Sequence, residues 1–168
     1  MKRRSFIKLS TASVLTGVTV ATAGCLFGGN HEAKRAALSD YESAMSSYNQ
    51  AETDYEDAMS AYESKNWDSA TEKFSSASSA YKTASRRFFD ASNRNIPSNA
   101  VNTAREAGNY AIEMSRAAQS YSQAAQAYAS GNTERASNNE ANAESYVEKA
   151  NEYSKPVSVS EFRSQLGL

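Results

Sequence analysis

Cys25 is the only cysteine and His31 the only histidine in 168 residues. A single thiol excludes an intramolecular disulfide and leaves Cys25 as a lone nucleophile, the group from which a thioether link is made. His31 has no second histidine with which to share a transition metal and no partners for a triad. Glu52, Asp54, Glu56 and Asp57 form an acidic cluster in which Glu52 and Glu56 stand one helical turn apart. Metal sites in helical bundles use Glu-x-x-His pairs that point inward, and this sequence has none, so the four acids read as a solvated face. There is no glycine-rich phosphate loop. The basic and aromatic run Arg86-Arg87-Phe88-Phe89 is too short to make a nucleic-acid surface. Serines without a neighbouring base read as surface residues. No catalytic or metal-binding residue is assigned on these grounds, and neither an enzyme nor a cofactor is expected.

Charge divides the chain. The first 24 residues hold Lys2, Arg3, Arg4 and Lys8 and no acid, whereas the remainder has 14 basic against 19 acidic side chains, a net of −5. An acidic body disfavours a phosphate backbone, and no nucleic-acid partner is expected. Leu9 to Ala23 is weakly apolar, diluted by Ser, Thr and Gly, and short for a membrane span. A basic head, a short apolar middle and small residues before Gly24-Cys25 are laid out as a signal peptide. Arg3-Arg4-Ser5-Phe6-Ile7-Lys8 resembles the twin-arginine export motif, with Arg3, Arg4, Phe6 and Lys8 at its defining positions. Thr22-Ala23-Gly24-Cys25 resembles a lipobox, with Thr22 where leucine is usual. With the Gly28-Gly29 tether, the two motifs are similar to the secreted lipoproteins of halophilic archaea. The resemblance implies a signal peptide at 1–24, lipid attachment at Cys25 and a lipidated tether over 25–31. It also implies an extracytoplasmic body, folded before export and anchored to the cell membrane. A diacylglyceryl group would supply the two chains that stable anchoring needs.

The elements that would position any site are written in the body. Ala37, Ala44, Ala51 and Ala58 alternate with Tyr41, Tyr48, Tyr55 and Tyr62 at gaps of four and three. That is a heptad seam with Tyr at a and Ala at d, where small residues let a neighbouring helix approach and rings cover the gap. The seam predicts a first helix from 30–35 to Ser64. Asn66 is placed to cap the second, which carries Trp67, Phe74, Tyr81 and Phe88 at a and Ala70, Ala77, Ala84 and Ala91 at d. Ile96-Pro97 is a stop, with Ser98 as the expected N-cap of a third helix running to Ser130 on Tyr110, Met114, Ala117, Tyr121, Ala124 and Tyr128. Gly131-Asn132 is a turn, and Ala136, Ala143, Val147 and Ala150 predict a fourth helix over 133–154. Glu140 falls at an a position of this last seam. In the tail, residues 155–168, Phe162 and Leu166 stand four apart and predict a short helix docked on the bundle end.

A shift of 66 residues brings Ala51, Tyr55, Ala58, Tyr62, Ser64, Asn66, Ala70, Ala77 and Ala84 onto the same residue types at 117, 121, 124, 128, 130, 132, 136, 143 and 150. The expected fold is all-α. It is an antiparallel four-helix bundle over 32–154, made of two repeated long hairpins, 32–93 and 98–154. The stretch Ala58…Ala61-Tyr62…Asn66-Trp67…Ala70…Phe74…Ala77 resembles a tetratricopeptide repeat, and Ala127-Tyr128…Gly131-Asn132…Ala136…Ala143 is a fainter copy. The helices are about twice as long as that repeat uses, so the likeness reads as shared turn physics rather than a repeat array. Aromatics at this spacing are expected in the core. With the tether at one end, both turns form the far tip, where Lys65, Asn66 and Trp67 are the candidate contacts for an unknown protein partner. The expected function is a structural or protein-interaction module, lipid-anchored at the outer face of the cytoplasmic membrane. The alternative is a lipoprotein that holds a small molecule or lipid in a tyrosine-lined cavity.

Overall fold

A computed structural model describes residues 25–168, with side chains from Asn30 onward. The export-motif residues Arg3, Arg4, Phe6 and Lys8 and the lipobox residues Thr22, Ala23 and Gly24 lie outside the described residues, as does the side chain of Cys25.

Five helices pack against one another: α1 (Cys25–Glu63), α2 (Trp67–Ser92), α3 (Ser98–Ala129), α4 (Thr133–Ala150) and α5 (Val159–Leu166). The described residues contain no strand. Helix α1 takes in His31, which is exposed on it rather than held in a loose tether. The third helix is capped by Pro97 without a side-chain hydrogen bond, so Ser98 is its first helical residue and not its cap. Proline suits that edge of a helix, where an N–H would have no partner. Helix α4 stops four residues short of the expected Ser154. Its orphan carbonyls are taken up early, the Asn151 N–H turning back to the carbonyls of Val147 and Lys149.

The two hairpin turns are built alike. Lys65 N–H donates to Tyr62 O at 3.0 Å and Asn66 N–H to Ala61 O at 2.9 Å; Gly131 N–H and Asn132 N–H donate to Tyr128 O and Ala127 O, each at 2.9 Å. Lys65 and Gly131 are both left-handed, with φ of 59° and 76°. This is the paired-bond closure that ends many helices, and Asn66 and Asn132 then cap the next helix through their side chains.

Helix α1 packs along α2, α2 along α3 and α3 along α4, while α1 and α4 do not pack backbone against backbone. In the α2–α3 seam, a Cβ on Gly108 would lie 2.9 Å from the Phe89 ring, so a larger residue there would require that ring to shift. Across this seam Ser78 and Ser115 each donate to the other's carbonyl at 2.8 Å, Ser85 donates to Gly108 O at 2.8 Å and Ser122 to Thr71 O at 3.0 Å. These serines pin two helices together, where sequence alone made them surface residues. At the opposite end from the two turns, α5 inserts fully buried Phe162 and Leu166. Phe162 stacks on Tyr41 with centroids 3.9 Å apart, and Tyr41 donates to Val157 O at 3.0 Å. Helix α5 thereby packs on α1 and α3.

Candidate functional site

Along the side where α1 faces α3, the heptad rings fill the gap between backbones. Tyr48 lies 5.9 Å from Tyr81 and 6.2 Å from Tyr110, Tyr55 lies 6.3 Å from both Tyr81 and Tyr121, and Tyr62 lies 5.8 Å from Tyr121 and 6.1 Å from Tyr128. Phe74 of α2 stacks on Tyr121 at 5.2 Å. Most of these pairs are edge-to-face, the arrangement the ring quadrupole favours. Of these rings Tyr48, Tyr81 and Tyr110 are core, as their spacing predicts, while Tyr55, Tyr62, Tyr121 and Tyr128 are half-buried against it.

At the tip the ladder ends in a small aromatic and acidic assembly. Trp67 is half-buried, stacked on Tyr128 at 4.8 Å and edge-on to Tyr62 at 5.2 Å. Glu140, the acid at a seam position of α4, accepts from Tyr62 Oη at 2.6 Å and from Tyr128 Oη at 2.9 Å. One carboxylate thus joins α1, α3 and α4 with a separate oxygen for each phenol, which is the strong form of a neutral-donor hydrogen bond. Midway down, Glu52 accepts from Tyr81 Oη. It is half-buried and belongs to the ladder, which corrects its reading as part of a solvated face. The rest of that cluster is more open. Asp54 accepts from Gln50 and Ser76, Asp57 pairs with Lys73 at 2.7 Å, and Glu56 is exposed. No three potential metal ligands gather among the described residues.

Burial and neighbouring carboxylates favour the protonated form of several of these phenols. Burial raises the Tyr41, Tyr55 and Tyr121 hydroxyls above the usual phenol value. For Tyr48, Tyr62 and Tyr81, burial is joined by the adjacent carboxylate, Glu52 or Glu140, which would repel a phenolate. Tyr128, which is half-buried, is raised first by its bond to Glu140.

Of the three candidate contacts, Lys65 and Asn66 are exposed at the turn, with the Asn66 amide engaged as a cap on Ser69 N. Trp67 stands beside them but gives its face to Tyr128. The structure brings all three to the same end of the molecule as Glu140, which the sequence marks only as an acid at an a position of the fourth seam. Its signal was there: an acid at a core position predicts buried donors nearby. Surface grooves lie elsewhere: one on α5 beside Val159, Arg163 and Leu168, and others between α1 and α2 and between α2 and α3, lined by hydroxyls such as Ser46, Ser76, Ser79, Ser115 and Ser122. No helix of the described residues is long and apolar enough to cross a membrane. No family model, curated protein or solved structure matches this chain.

Proposed function

We propose that the chain is exported through the twin-arginine route, lipidated at Cys25 and held at the outer face of the cytoplasmic membrane. There it acts as a structural or protein-interaction module, without an enzyme's chemistry. The observation that carries this reading is the succession of Arg3-Arg4-Ser5-Phe6-Ile7-Lys8, a weakly apolar run and Thr22-Ala23-Gly24-Cys25 ahead of a helical body. The interior supports a structural role, since ring-on-ring contacts take up the seam in which a ligand would sit. Lys65, Asn66 and Trp67 remain the contacts offered to a partner. We read the architecture as an antiparallel four-helix arrangement of two hairpins, with the Tyr62–Glu140–Tyr128 clasp standing in for packing between α1 and α4.

The test is fractionation of the full chain expressed in a host with twin-arginine export, with mass spectrometry of the mature N-terminus. The native chain is expected in the membrane fraction with a diacylglyceryl adduct on Cys25. Cys25→Ser is expected to lose the adduct and leave the membrane, and the Arg3→Lys, Arg4→Lys double variant to accumulate as uncleaved precursor. A Cys25→Ser chain that stays membrane-bound overturns the anchor. Gentle solubilisation of the native chain then separates the two functional readings: a co-purifying protein supports the interaction module, and a bound small molecule or lipid supports the binder.

A further inference from the structure

The ladder has a property that core packing does not require. Its rings form an unbroken series of oxidisable side chains from the single tryptophan at the tip to a fully buried tyrosine in the middle. Trp67 touches Tyr128 at 4.8 Å and Tyr62 at 5.2 Å between centroids; Tyr62 touches Tyr121 at 5.8 Å, Tyr121 touches Tyr55 at 6.3 Å, and Tyr55 touches Tyr81 at 6.3 Å. Electron tunnelling decays steeply with distance through the gap between rings, and rings in contact leave almost none. A phenol is hard to oxidise unless its proton leaves with the electron. The tyrosines at the two ends of the series are the ones given a carboxylate to receive that proton, Glu140 for Tyr62 and Tyr128 and Glu52 for Tyr81. Tyr110, which meets Tyr48 off the main line, instead has the Lys155 ammonium 5.6 Å from its ring centre, a cation that disfavours removing an electron there.

We propose that this ladder conducts one-electron oxidising equivalents from Trp67 to Tyr81, with Glu140 and Glu52 holding the phenolic protons. The oxidant is a small radical that meets the tip. It takes one electron from Trp67, and the indole nitrogen releases its proton to water. The indolyl radical then takes an electron from Tyr62 or Tyr128 and a proton from water, while the phenol passes its proton to Glu140. In the second transfer the phenoxyl recovers an electron from Tyr81 and its proton from Glu140, and Tyr81 gives its own proton to Glu52. Tyr121 and Tyr55 bridge that transfer and end it unchanged. The oxidised centre finishes in a side chain with no exposed surface, where it cannot couple to a second molecule.

Pulse radiolysis of the full chain with azide radical as oxidant tests this. Indolyl absorption should decay in a first-order process independent of protein concentration while phenoxyl absorption rises. The Tyr62→Phe, Tyr128→Phe double variant keeps the rings and should slow that decay by about tenfold or more, a barrier change of about 1.4 kcal/mol. Tyr81→Phe should leave the first transfer intact and shorten the phenoxyl lifetime by about tenfold, since the radical would remain at the accessible tip. Circular dichroism and urea midpoints establish that each variant is folded. Decay that depends on protein concentration, or that is unchanged in the double variant, overturns the proposal. A phenoxyl lifetime unmoved by Tyr81→Phe overturns the assignment of its end point.

Discussion

The two hairpins share their turns and their alanines but solve the middle of the seam in different ways. Phe74 of the first hairpin and Glu140 of the second occupy equivalent places, 66 residues apart. Phe74 is fully buried and joins the ladder by stacking on Tyr121 and standing edge-on to Tyr55 and Tyr62. Glu140 is half-buried and joins it by accepting from Tyr62 and Tyr128. The same positions are thus held once by dispersion and the exclusion of water, and once by directed polar bonds. Helix α4 buries only Ala136, Ala143 and Ala150, so it has little apolar area with which to close on α1. Its clasp makes the connection that packing does not.

Alkali should press hardest on this difference. Five phenols held above the ordinary value lie in the first hairpin (Tyr41, Tyr48, Tyr55, Tyr62 and Tyr81) and two in the second (Tyr121 and Tyr128). A group whose pKa is raised by folding binds its proton more tightly in the native state. Its stabilisation is complete below the unfolded phenol value of 10.0 and is lost as pH climbs from there towards the folded value. Tyr41, Tyr55 and Tyr81 alone should steepen the loss to about 4 kcal/mol per pH unit above that point. Urea titrations at successive pH values should show unchanged stability up to pH about 9 and unfolding together with tyrosinate absorbance above about 10. Phenols that ionise near their ordinary value while the helices persist would show that the ladder is open to water.

Substitution at the equivalent positions should separate the two modes. Phe74→Ala removes a ring with no exposed surface and leaves a cavity, and is expected to lower unfolding free energy by about 3–5 kcal/mol. Glu140→Ala removes bonds whose donors are partly reached by water, so about 1–2 kcal/mol is expected. A double-mutant cycle between Tyr62→Phe and Glu140→Ala should give a coupling of about 1 kcal/mol, and the cycle between Tyr62→Phe and Phe74→Ala a smaller one of packing origin. Equal losses at the two sites would mean that Glu140 is anchored by more than its phenols.

The parts of this design that could be read from sequence are those in which one residue type repeats at one period. Alternating Ala and Tyr from Ala37 to Tyr62 give away the seam because each position has the same neighbour at every turn. Thr71, Ser78 and Ser85 also recur every seven residues, as do Gly108, Ser115 and Ser122, and this is the α2–α3 zipper. That period stayed hidden because a serine is at home both on a surface and against a carbonyl of a neighbouring helix. Glu140 and Glu52 were harder still. Their role depends on which phenols converge on them from other helices, and convergence is a property of the packed molecule. For the same reason the early end of α4 and the lack of backbone packing between α1 and α4 could not be drawn from a pattern that only counts alanines.

The smallest difference between the hairpins is the cleanest to exchange. Lys65 and Gly131 hold the same place in identically bonded turns, and both are left-handed. A side chain in that region crowds its own carbonyl, at roughly 1 kcal/mol for a residue other than glycine. Lys65 is exposed and has no ion-pair partner among the described residues, so Lys65→Gly removes the strain without removing a bond. It is expected to stabilise the chain by about 1 kcal/mol, offset by a few tenths for the freer unfolded backbone. A Cβ on Gly131 would meet nothing within 4 Å, so Gly131→Lys introduces strain alone and should destabilise by a similar amount. The swapped double variant should then sit near the native midpoint in urea, because the two turns would simply have traded residues. Loss of stability on Lys65→Gly would mean that the lysine side chain stabilises the tip through its own contacts, and the two turns would no longer count as copies.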